Sequence, residues 1–343
     1  MNPFTHRHLS WLGTSMLIAM TVLGVTSNSA RAADSLSTAP LLRTVSMLDA
    51  SLRPAGVPTD YVVTPNGYFA ASCVQRVQAN ERVHTDGSIE RADGTIRKPA
   101  ACTMPHYSSD GTRVEANGSI IALTSRARKA PTINGWVMDS DYSSSVAIGR
   151  IVASWVVPSA PSKQSSQTDY YFPGMEQSEA SAESILQPVL GWNAFSNFPQ
   201  WSMASWNCCV SGTTYYSNPI SVSAGDQITG DTKSTCGAWP SCATWAIIST
   251  DETTGGSTTL DTDPYAALSW VFGGVNEVYS VSSCAQLPAS GSITYSSIQV
   301  YDINNNRIAS PPWVNEYDVG SQKPQCSYNI ASSASTVTLS WKP

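Results

Sequence analysis

The chain has 343 residues, and its formal net charge of −6 is unevenly distributed. Residues 134–343 carry sixteen Asp and Glu against six Lys and Arg, a net of −10, whereas residues 33–133 carry nine acidic and eleven basic side chains. Without a basic patch to neutralise phosphates, this composition argues against a nucleic acid as partner. The acidic part suits a protein that works at low pH, although many secreted proteins are acidic as well.

The first 32 residues have the pattern of a secretory signal peptide. A basic start at His6-Arg7-His8 is followed by an apolar stretch from Trp11 to Val25, and Ala30-Arg31-Ala32 forms a cleavage site. The apolar stretch is shorter than the ~20 residues that a membrane-spanning helix needs. We therefore predict a soluble mature protein that is secreted, or periplasmic in a bacterium, with no membrane partner.

Eight cysteines fit an oxidising compartment. We predict three disulfides that staple loops: Cys73–Cys102, Cys236–Cys242 and Cys284–Cys326. The adjacent Cys208 and Cys209 either bond each other or exchange partners with residues 236 and 242. A zinc site is disfavoured because the chain has no C-x-x-C pair and no histidine beyond His106.

Residues 33–133 form a segment of short apolar pieces between turn signals such as Pro65-Asn66-Gly67 and Asp86-Gly87. This pattern predicts several short strands or hairpins. The segment ends in the basic, proline-marked stretch Arg126–Pro131. It is either a propeptide that masks the acidic part of the chain or a permanent small β-rich module.

Residues 134–343 have the pattern of a single all-β domain. Apolar residues alternate with Ser and Thr in short runs, for example at Ile220 and Val222 and at Val337, Leu339 and Trp341, and Gly-rich or Pro-rich turns separate the runs. We predict an antiparallel β-sandwich of the lectin-like or jelly-roll-like kind, with no long helix.

Histidine restricts the chemistry of this domain. All four histidines precede residue 107, so the β domain cannot build a Ser-His-Asp or Cys-His arrangement. The chain also lacks H-E-x-x-H and the paired Asp-Thr-Gly or Asp-Ser-Gly loops of an aspartic peptidase. Chemistry with paired carboxylates stays possible, because sixteen acidic residues are available in this domain.

Gln187 lies in an almost wholly apolar run, and Glu277 lies on a largely apolar strand face. Gln187 lies in the run Ser184–Trp192, and a buried amide there must find partners or face a cleft. Glu277 shares a strand face with Val271, Val275 and Tyr279, where desolvation raises the pKa of a carboxyl group. Taken alone, each residue also fits a structural role: a core amide bound to backbone, and a sheet-edge glutamate in a salt bridge.

From about residue 146 to residue 300, the sequence resembles the eqolisin family of secreted glutamic peptidases. Ser184-Ile185-Leu186-Gln187 resembles the family's Ala-Ile-Leu-Gln, whose glutamine is catalytic, and Val275-Asn276-Glu277 resembles the end of the segment that carries its catalytic glutamate. Further similarities lie at Ala153–Ser159, Phe172–Glu176, Trp206, Pro219–Asp226 and Leu287–Pro288. One departure is Trp206-Asn207-Cys208-Cys209-Val210, which lacks a cleft carboxylate that the family has.

The resemblance implies an acid-acting endopeptidase with a Gln/Glu dyad. Glu277 would activate a water molecule and Gln187 would stabilise the oxyanion. Trp206, Phe172 and Glu176 would line the substrate groove, with core packing an equally good account of the two aromatic residues. No cofactor is implied, the substrate would be a protein or peptide, and we expect a monomer.

Two other functions fit the same residues. The missing cleft acid is compatible with a non-catalytic, lectin-like β-sandwich binding protein, because aromatic and Ser/Asn-rich surfaces suit sugars as well as peptides. A sandwich glycosidase that uses Glu176 and Glu277 is the third alternative.

Overall fold

The computed structural model describes residues 41–121, 133–177, 184–195, 199–210, 212–236, 244–263, 267–317 and 323–343. The chain divides into Met1–Thr38, which lies outside these ranges, and Ala39–Pro343, which forms one compact unit. The predicted signal peptide and the whole Arg126–Pro131 linker also lie outside the described residues. The boundary predicted at residue 133 falls inside the second unit, and removal of residues 33–133 remains a prediction.

The N-terminal part of this unit is built from short strands joined by tight turns. Nine strands lie between residues 62 and 121: β1 (Val62–Thr64), β2 (Gly67–Phe69), β3 (Val74–Arg76), β4 (Arg82–Val83), β5 (Ile89–Glu90), β6 (Ile96–Arg97), β7 (His106–Tyr107), β8 (Arg113–Val114) and β9 (Ile120–Ile121). The turn signals act as predicted: Asp86, for example, accepts a hydrogen bond from the Ser88 amide two residues later.

The longer strands come from residue 133 onward. They are β10 (Ile133–Ser143), β11 (Ile148–Val156), β12 (Thr168–Glu176), β13 (Ile185–Trp192), β14 (Trp201–Val210), β15 (Thr213–Tyr216), β16 (Ile220–Val222), β17 (Gln227–Ser234), β18 (Trp245–Asp251), β19 (Ser257–Thr262), β20 (Trp270–Val281), β21 (Ser292–Asp302), β22 (Arg307–Ile308), β23 (Val314–Tyr317), β24 (Asn329–Ser333) and β25 (Thr336–Ser340). The described helices are three single 3-10 turns: Val45–Met47, Ala71–Cys73 and Cys284–Gln286. None of the described residues forms a helix that is long and apolar enough to span a membrane.

Two large sheets form the predicted sandwich, which confirms the all-β class. The first sheet has the order β23-β10-β20-β12-β13-β14-β15-β3, with β16 beside β14. The second has the order β24-β25-β21-β11-β17-β18-β19-β4-β5-β6, with β22 beside β21. A smaller sheet, β1-β2-β7-β8-β9, comes entirely from the N-terminal part.

The N-terminal part also pairs with both large sheets. Strand β3 runs parallel to β15, and β4 runs parallel to β19; every other strand pairing among the described residues is antiparallel. Arg82 and His84 add contacts to Asp263, at 3.6 Å and 2.9 Å respectively. These pairings fix residues 74–83 at the edges of the sandwich.

Apolar side chains fill two layers. One cluster lies between the large sheets and includes Trp155, Leu186 and Ile247. The other lies on the opposite face of the first sheet, where residues 42–107 cover it with Val63, Tyr68 and other side chains. Because both faces of β13 are covered, all of its residues are buried, which explains the nearly continuous apolar run in the sequence.

The disulfides agree with most of the predicted pairs. Cys73–Cys102 and Cys284–Cys326 are present, and Cys208 bonds its neighbour Cys209. Cys236 is also disulfide-bonded, and its predicted partner Cys242 lies outside the described residues.

Candidate functional site

The predicted site residues lie on the face of the first large sheet that is turned away from the second. We call this the outer face; its side chains include Tyr170, Phe172, Glu176, Gln187, Trp206, Phe272, Glu277 and Tyr279. Strand alternation places them there: Leu186 and Val278 point into the core between the sheets, so their neighbours Gln187 and Glu277 point outward.

Gln187 is fully buried on β13, and it contacts the N-terminal part. Its Nε2 donates a hydrogen bond to the Pro65 carbonyl oxygen at 3.4 Å. Its Oε1 is buried without a partner among the described residues. The neighbouring residue on β12 is Gly174, where a Cβ atom would lie only 3.4 Å from the Cβ of Gln187. The Gln187 amide therefore lies beside Gly174, which has no side chain, and points at the Pro65 carbonyl.

Glu277 is 2% exposed on β20. The Tyr279 hydroxyl donates a hydrogen bond to its Oε1 at 2.5 Å, and Oε2 is buried without a partner among the described residues. Burial raises the pKa of Glu277 to about 8, although interactions with Tyr279 and then Trp136 act in the opposite direction. The carboxyl group is therefore neutral at pH 7 in this arrangement.

The turn between β1 and β2 occupies the space over these residues. Besides the contact from Gln187 to Pro65, the Gly67 amide donates to the Tyr279 hydroxyl oxygen at 2.8 Å, and the Tyr170 hydroxyl donates to the Val63 carbonyl at 3.3 Å. The ring of Tyr68 packs edge-on against Tyr279, with 5.2 Å between centroids. The turn thus binds to both sides of the predicted dyad.

The structure does not bring Gln187 and Glu277 into direct contact. Glu277 pairs with Tyr170 on β12, whereas Gln187 lies beside Gly174 on the same strand. Four residues of strand correspond to about 13 Å. The space between the two side chains is the space that the turn fills.

The other predicted site residues lie in the same layer. Trp206 is buried and stacks on Tyr216 at 4.9 Å between centroids, and Phe172 is buried 6.0 Å from Trp136. In this state both aromatic residues pack in the covered core. Glu176 is 5% exposed, and burial raises its pKa to about 8.

Three features of the face were not part of the sequence prediction. They are the β1–β2 turn that covers the face, the tyrosines Tyr170 and Tyr279 that bind this turn, and a carboxyl pair at Asp139 and Asp141. Burial and then Asp141 raise the pKa of Asp139 to about 9, and Trp270 Nε1 donates to Asp141 at 2.8 Å. The pair could have been found from its i, i+2 spacing on one strand. No group of three or more His, Cys, Asp or Glu residues in the described ranges is arranged to hold a metal ion.

No family model matches this chain, and no curated protein matches it. Solved structures that are similar include scytalido-glutamic peptidase with a peptide-based transition state analog, at 14% identity and a TM-score of 0.43, covering 61% of this chain and 99% of that one. SCP-B, a member of the eqolisin family in a complex with the tripeptide Ala-Ile-His, has 15% identity and a TM-score of 0.42, with the same coverage. Aspergilloglutamic peptidase from Aspergillus niger has 17% identity and a TM-score of 0.36, covering 51% and 98%. These likenesses are distant and concern the fold.

Proposed function

We propose that the chain is an acid-acting endopeptidase that hydrolyses peptide bonds on the outer face, with Gln187 and Glu277 in catalysis. One observation carries the proposal: both residues already engage the peptide groups of one turn. Gln187 donates to the Pro65 carbonyl, and Glu277 is linked through Tyr279 to the Gly67 amide. A substrate that replaces the turn would meet the same groups.

Gln187 would polarise the substrate carbonyl. A neutral amide N–H, held on a strand and buried from water, stabilises negative charge as it develops on the carbonyl oxygen. Removing one such donor typically lowers turnover by ~10²–10³-fold. The bond to Pro65 supports this role because it shows that a peptide carbonyl fits at the amide.

Glu277 would activate the attacking water. While the turn covers it, burial keeps the carboxyl group neutral, so it cannot accept a proton. Once the turn leaves, water reaches the group and the pKa falls towards its ordinary value of 4.5. The carboxylate then takes a proton from water, whose oxygen attacks the carbonyl carbon. The C–N bond breaks as the leaving nitrogen gains a proton, in the simplest scheme the one that Glu277 has taken.

It follows that the described form is latent. We propose that residues 33–133 restrain the enzyme until acidification weakens their attraction to the acidic domain, and that the zymogen is secreted through the predicted signal peptide. The disulfides suit that compartment. We propose a protein or peptide substrate, a monomeric state and no cofactor.

A second candidate is a β-sandwich binding protein without catalysis. It is favoured by the pairing of residues 74–76 and 82–83 with both large sheets, because a permanently seated N-terminal part would keep the outer face closed. The two candidates differ in whether the turn can leave.

The test is turnover of a fluorogenic protein substrate by the mature chain from Ala33 between pH 3 and 7. We expect activity in the acidic range, at least 100-fold less in Gln187→Ala, and none in Glu277→Gln. A wild-type chain that is folded and inactive at every pH would favour the binding protein. Inhibition by serine, cysteine or metal-chelating reagents would contradict the dyad.

A further inference from the structure

Tyr279 is a fully buried tyrosine on the outer face, and the scheme above gives it no task in the reaction. It lies two residues after Glu277 on β20, so both side chains stand on the same face of the strand. Two other tyrosines hold its ring edge-on, with centroid distances of 5.2 Å to Tyr68 and 6.0 Å to Tyr170. Close packing on two sides gives the Tyr279 hydroxyl group a fixed position.

The hydrogen bonds of the Tyr279 hydroxyl group determine where its proton points. The Gly67 amide donates to the hydroxyl oxygen at 2.8 Å, and an amide nitrogen cannot accept a hydrogen in return. The hydroxyl group therefore directs its own hydrogen at Oε1 of Glu277, with 2.5 Å between the two oxygens. The amide, the hydroxyl group and the carboxyl group form a chain in which each hydrogen bond polarises the next.

The two carboxyl oxygens of Glu277 consequently differ. Oε1 accepts the hydrogen of Tyr279, whereas Oε2 is buried without a partner among the described residues. While the carboxyl group is neutral, its proton lies on Oε2, because Oε1 already receives a hydrogen. When the turn leaves and the carboxyl group ionises, Tyr279 still occupies Oε1, and Oε2 is the oxygen that is open to water.

Groups from other elements also face Glu277. They are Tyr170 on β12, Trp136 on β10 and Tyr68 of the turn. Burial raises the pKa of both tyrosines above the ordinary value of 10, so neither ionises in the acidic range. Asp139 lies at the diagonal position on β10, and burial is the main cause of its raised pKa of about 9. A change in the titration of Glu277 that follows loss of the Tyr279 hydroxyl alone is therefore due to that hydroxyl group.

We propose that Tyr279 is a positioning residue for the reaction: its hydroxyl group holds Oε1 of Glu277 and leaves Oε2 as the atom that takes the proton from water. The inference rests on the proposed function and goes beyond it by giving the two oxygens separate tasks. An O–H bond of water breaks as Oε2 gains the proton, and the water oxygen bonds to the carbonyl carbon. The C–N bond then breaks as the same proton passes from Oε2 to the leaving nitrogen, and Tyr279 keeps its own proton throughout.

This assignment predicts a shift in the pH profile. Burial raises the pKa of Glu277, and Tyr279 followed by Trp136 acts against it, because a donated hydrogen bond favours the ionised carboxyl group. Tyr279→Phe keeps the ring and removes the donor, so the pKa of Glu277 should rise. The acidic limb of kcat/KM reports this pKa in the free enzyme. The limb should move upward by about one pH unit, since a hydrogen bond to a charged group typically changes an equilibrium by about tenfold.

The experiment compares the chain from Ala33 with Tyr279→Phe and Tyr170→Phe on a fluorogenic peptide between pH 3 and 7, each chain being first activated at pH 4. Tyr170→Phe is the matched control, because its hydroxyl group donates to the Val63 carbonyl of the same hairpin and makes no bond to Glu277. Its acidic limb should coincide with that of the wild type. Coincident limbs in all three chains, or equal shifts in both variants, would overturn the positioning role while leaving the peptidase in place.

A second readout does not need turnover. The side-chain carboxyl carbon of Glu277, identified by the loss of its NMR signal in Glu277→Gln, should titrate near pH 8 in the covered wild-type chain. The midpoint should rise in Tyr279→Phe and stay unchanged in Tyr170→Phe. A midpoint that does not rise in a folded Tyr279→Phe chain would overturn the inference. A wild-type chain that cleaves no peptide at any pH would overturn the proposed function and this inference together.

Discussion

The Gln187 side chain donates its amide hydrogen to the Pro65 carbonyl, with 3.4 Å between the nitrogen and the oxygen. The donor lies on a central strand of the sandwich, and the acceptor is at the tip of an N-terminal hairpin, 122 residues earlier in the chain. The residue picked out by sequence as an oxyanion donor is thus in contact with a peptide carbonyl. The same contact blocks any other peptide from reaching it.

Displacing the β1–β2 turn from the outer face should activate the protein. Gly67 has a φ of +108°, and a Cβ atom there would lie 2.2 Å from the Tyr107 carbonyl oxygen. Gly67→Ala therefore introduces both an unfavourable positive φ and a clash with the Tyr107 carbonyl, and both should displace the turn. We expect peptide turnover at a pH where the wild type is inactive. The assay compares turnover near pH 6 and the thermal transition of both chains.

The matched control for this variant is Gly94→Ala. Gly94 lies in another turn of the N-terminal part with a φ of +80°, and nothing lies within 4 Å of the position of its Cβ. It carries the same backbone strain away from the outer face, so turnover should stay at the wild-type level. Equal activation by both substitutions would show that loosening the N-terminal part in general, and not the Gly67 turn, opens the face.

Stability should fall as the pH rises from about 4.5 to about 8. Glu176 and Glu277 have a pKa of about 8 in the folded chain and near 4.5 when unfolded, so in this window the unfolded chain has released protons that the folded chain still holds. Each such group lowers the free energy of unfolding by about 1.4 kcal/mol per pH unit. Below pH 4.5 both glutamates are protonated in the folded chain and in the unfolded chain. Their titration then no longer lowers the free energy of unfolding.

The check is the free energy of unfolding from pH 4 to 9 in the wild type and in Glu277→Gln. The variant should match the wild type near pH 4 and be more stable than it near pH 8, because the neutral amide has no proton to lose. A wild-type protein that is more stable at pH 8 than at pH 4 would contradict the buried, neutral state of both glutamates.

The Cys73–Cys102 disulfide should hold the N-terminal part together. It closes a loop with a sequence separation of 29 residues, and bridges of this kind contribute about 2–4 kcal/mol. The double substitution to Ser should therefore lower the stability of residues 41–107 and speed their proteolysis, whereas Cys284→Ser with Cys326→Ser should act on the C-terminal strands. Mass mapping that finds four or more free thiols in secreted material would contradict the stapling role.

Acidification should release the N-terminal part if the weakened attraction between the two parts outweighs the preference of the covered Glu277 for its protonated form. Residues 33–133 carry a small positive excess and residues 134–343 a net of −10, so their attraction weakens when carboxylates become protonated at pH 3–4, and it weakens with salt. Chain purified at neutral pH and shifted to pH 4 should yield a fragment that begins near residues 127–135 as activity rises. Immediate activity of an intact chain would show that residues 33–133 are a permanent module.

The sequence was sufficient to predict the β-sandwich, because alternation and turn residues act over a few positions. Val337, Leu339 and Trp341 alternate inward as expected, and the turn at Thr254–Ser257 joins β18 to β19. The pairs Cys73–Cys102 and Cys284–Cys326 were also predicted, whereas the Cys208–Cys209 bond was one of two alternatives. These features depend on local patterns that a short stretch of sequence contains.

The relation of the outer face to the N-terminal part could not be predicted. Whether Gln187 faces a cleft or bonds to backbone depends on Pro65, 122 positions away, and nothing in either stretch encodes that contact. The distance between Gln187 and Glu277 depends on the register of two strands against β12, which includes an irregularity between Phe172 and Gly174.

The most direct test of the central claim is turnover of a fluorogenic protein substrate at pH 3–5 by the mature chain and by Glu277→Gln, with the thermal transition of each measured at pH 4. We predict acid-dependent cleavage by the wild type, no cleavage by the variant and the same transition in both. Full activity in a folded Glu277→Gln chain would contradict the assignment.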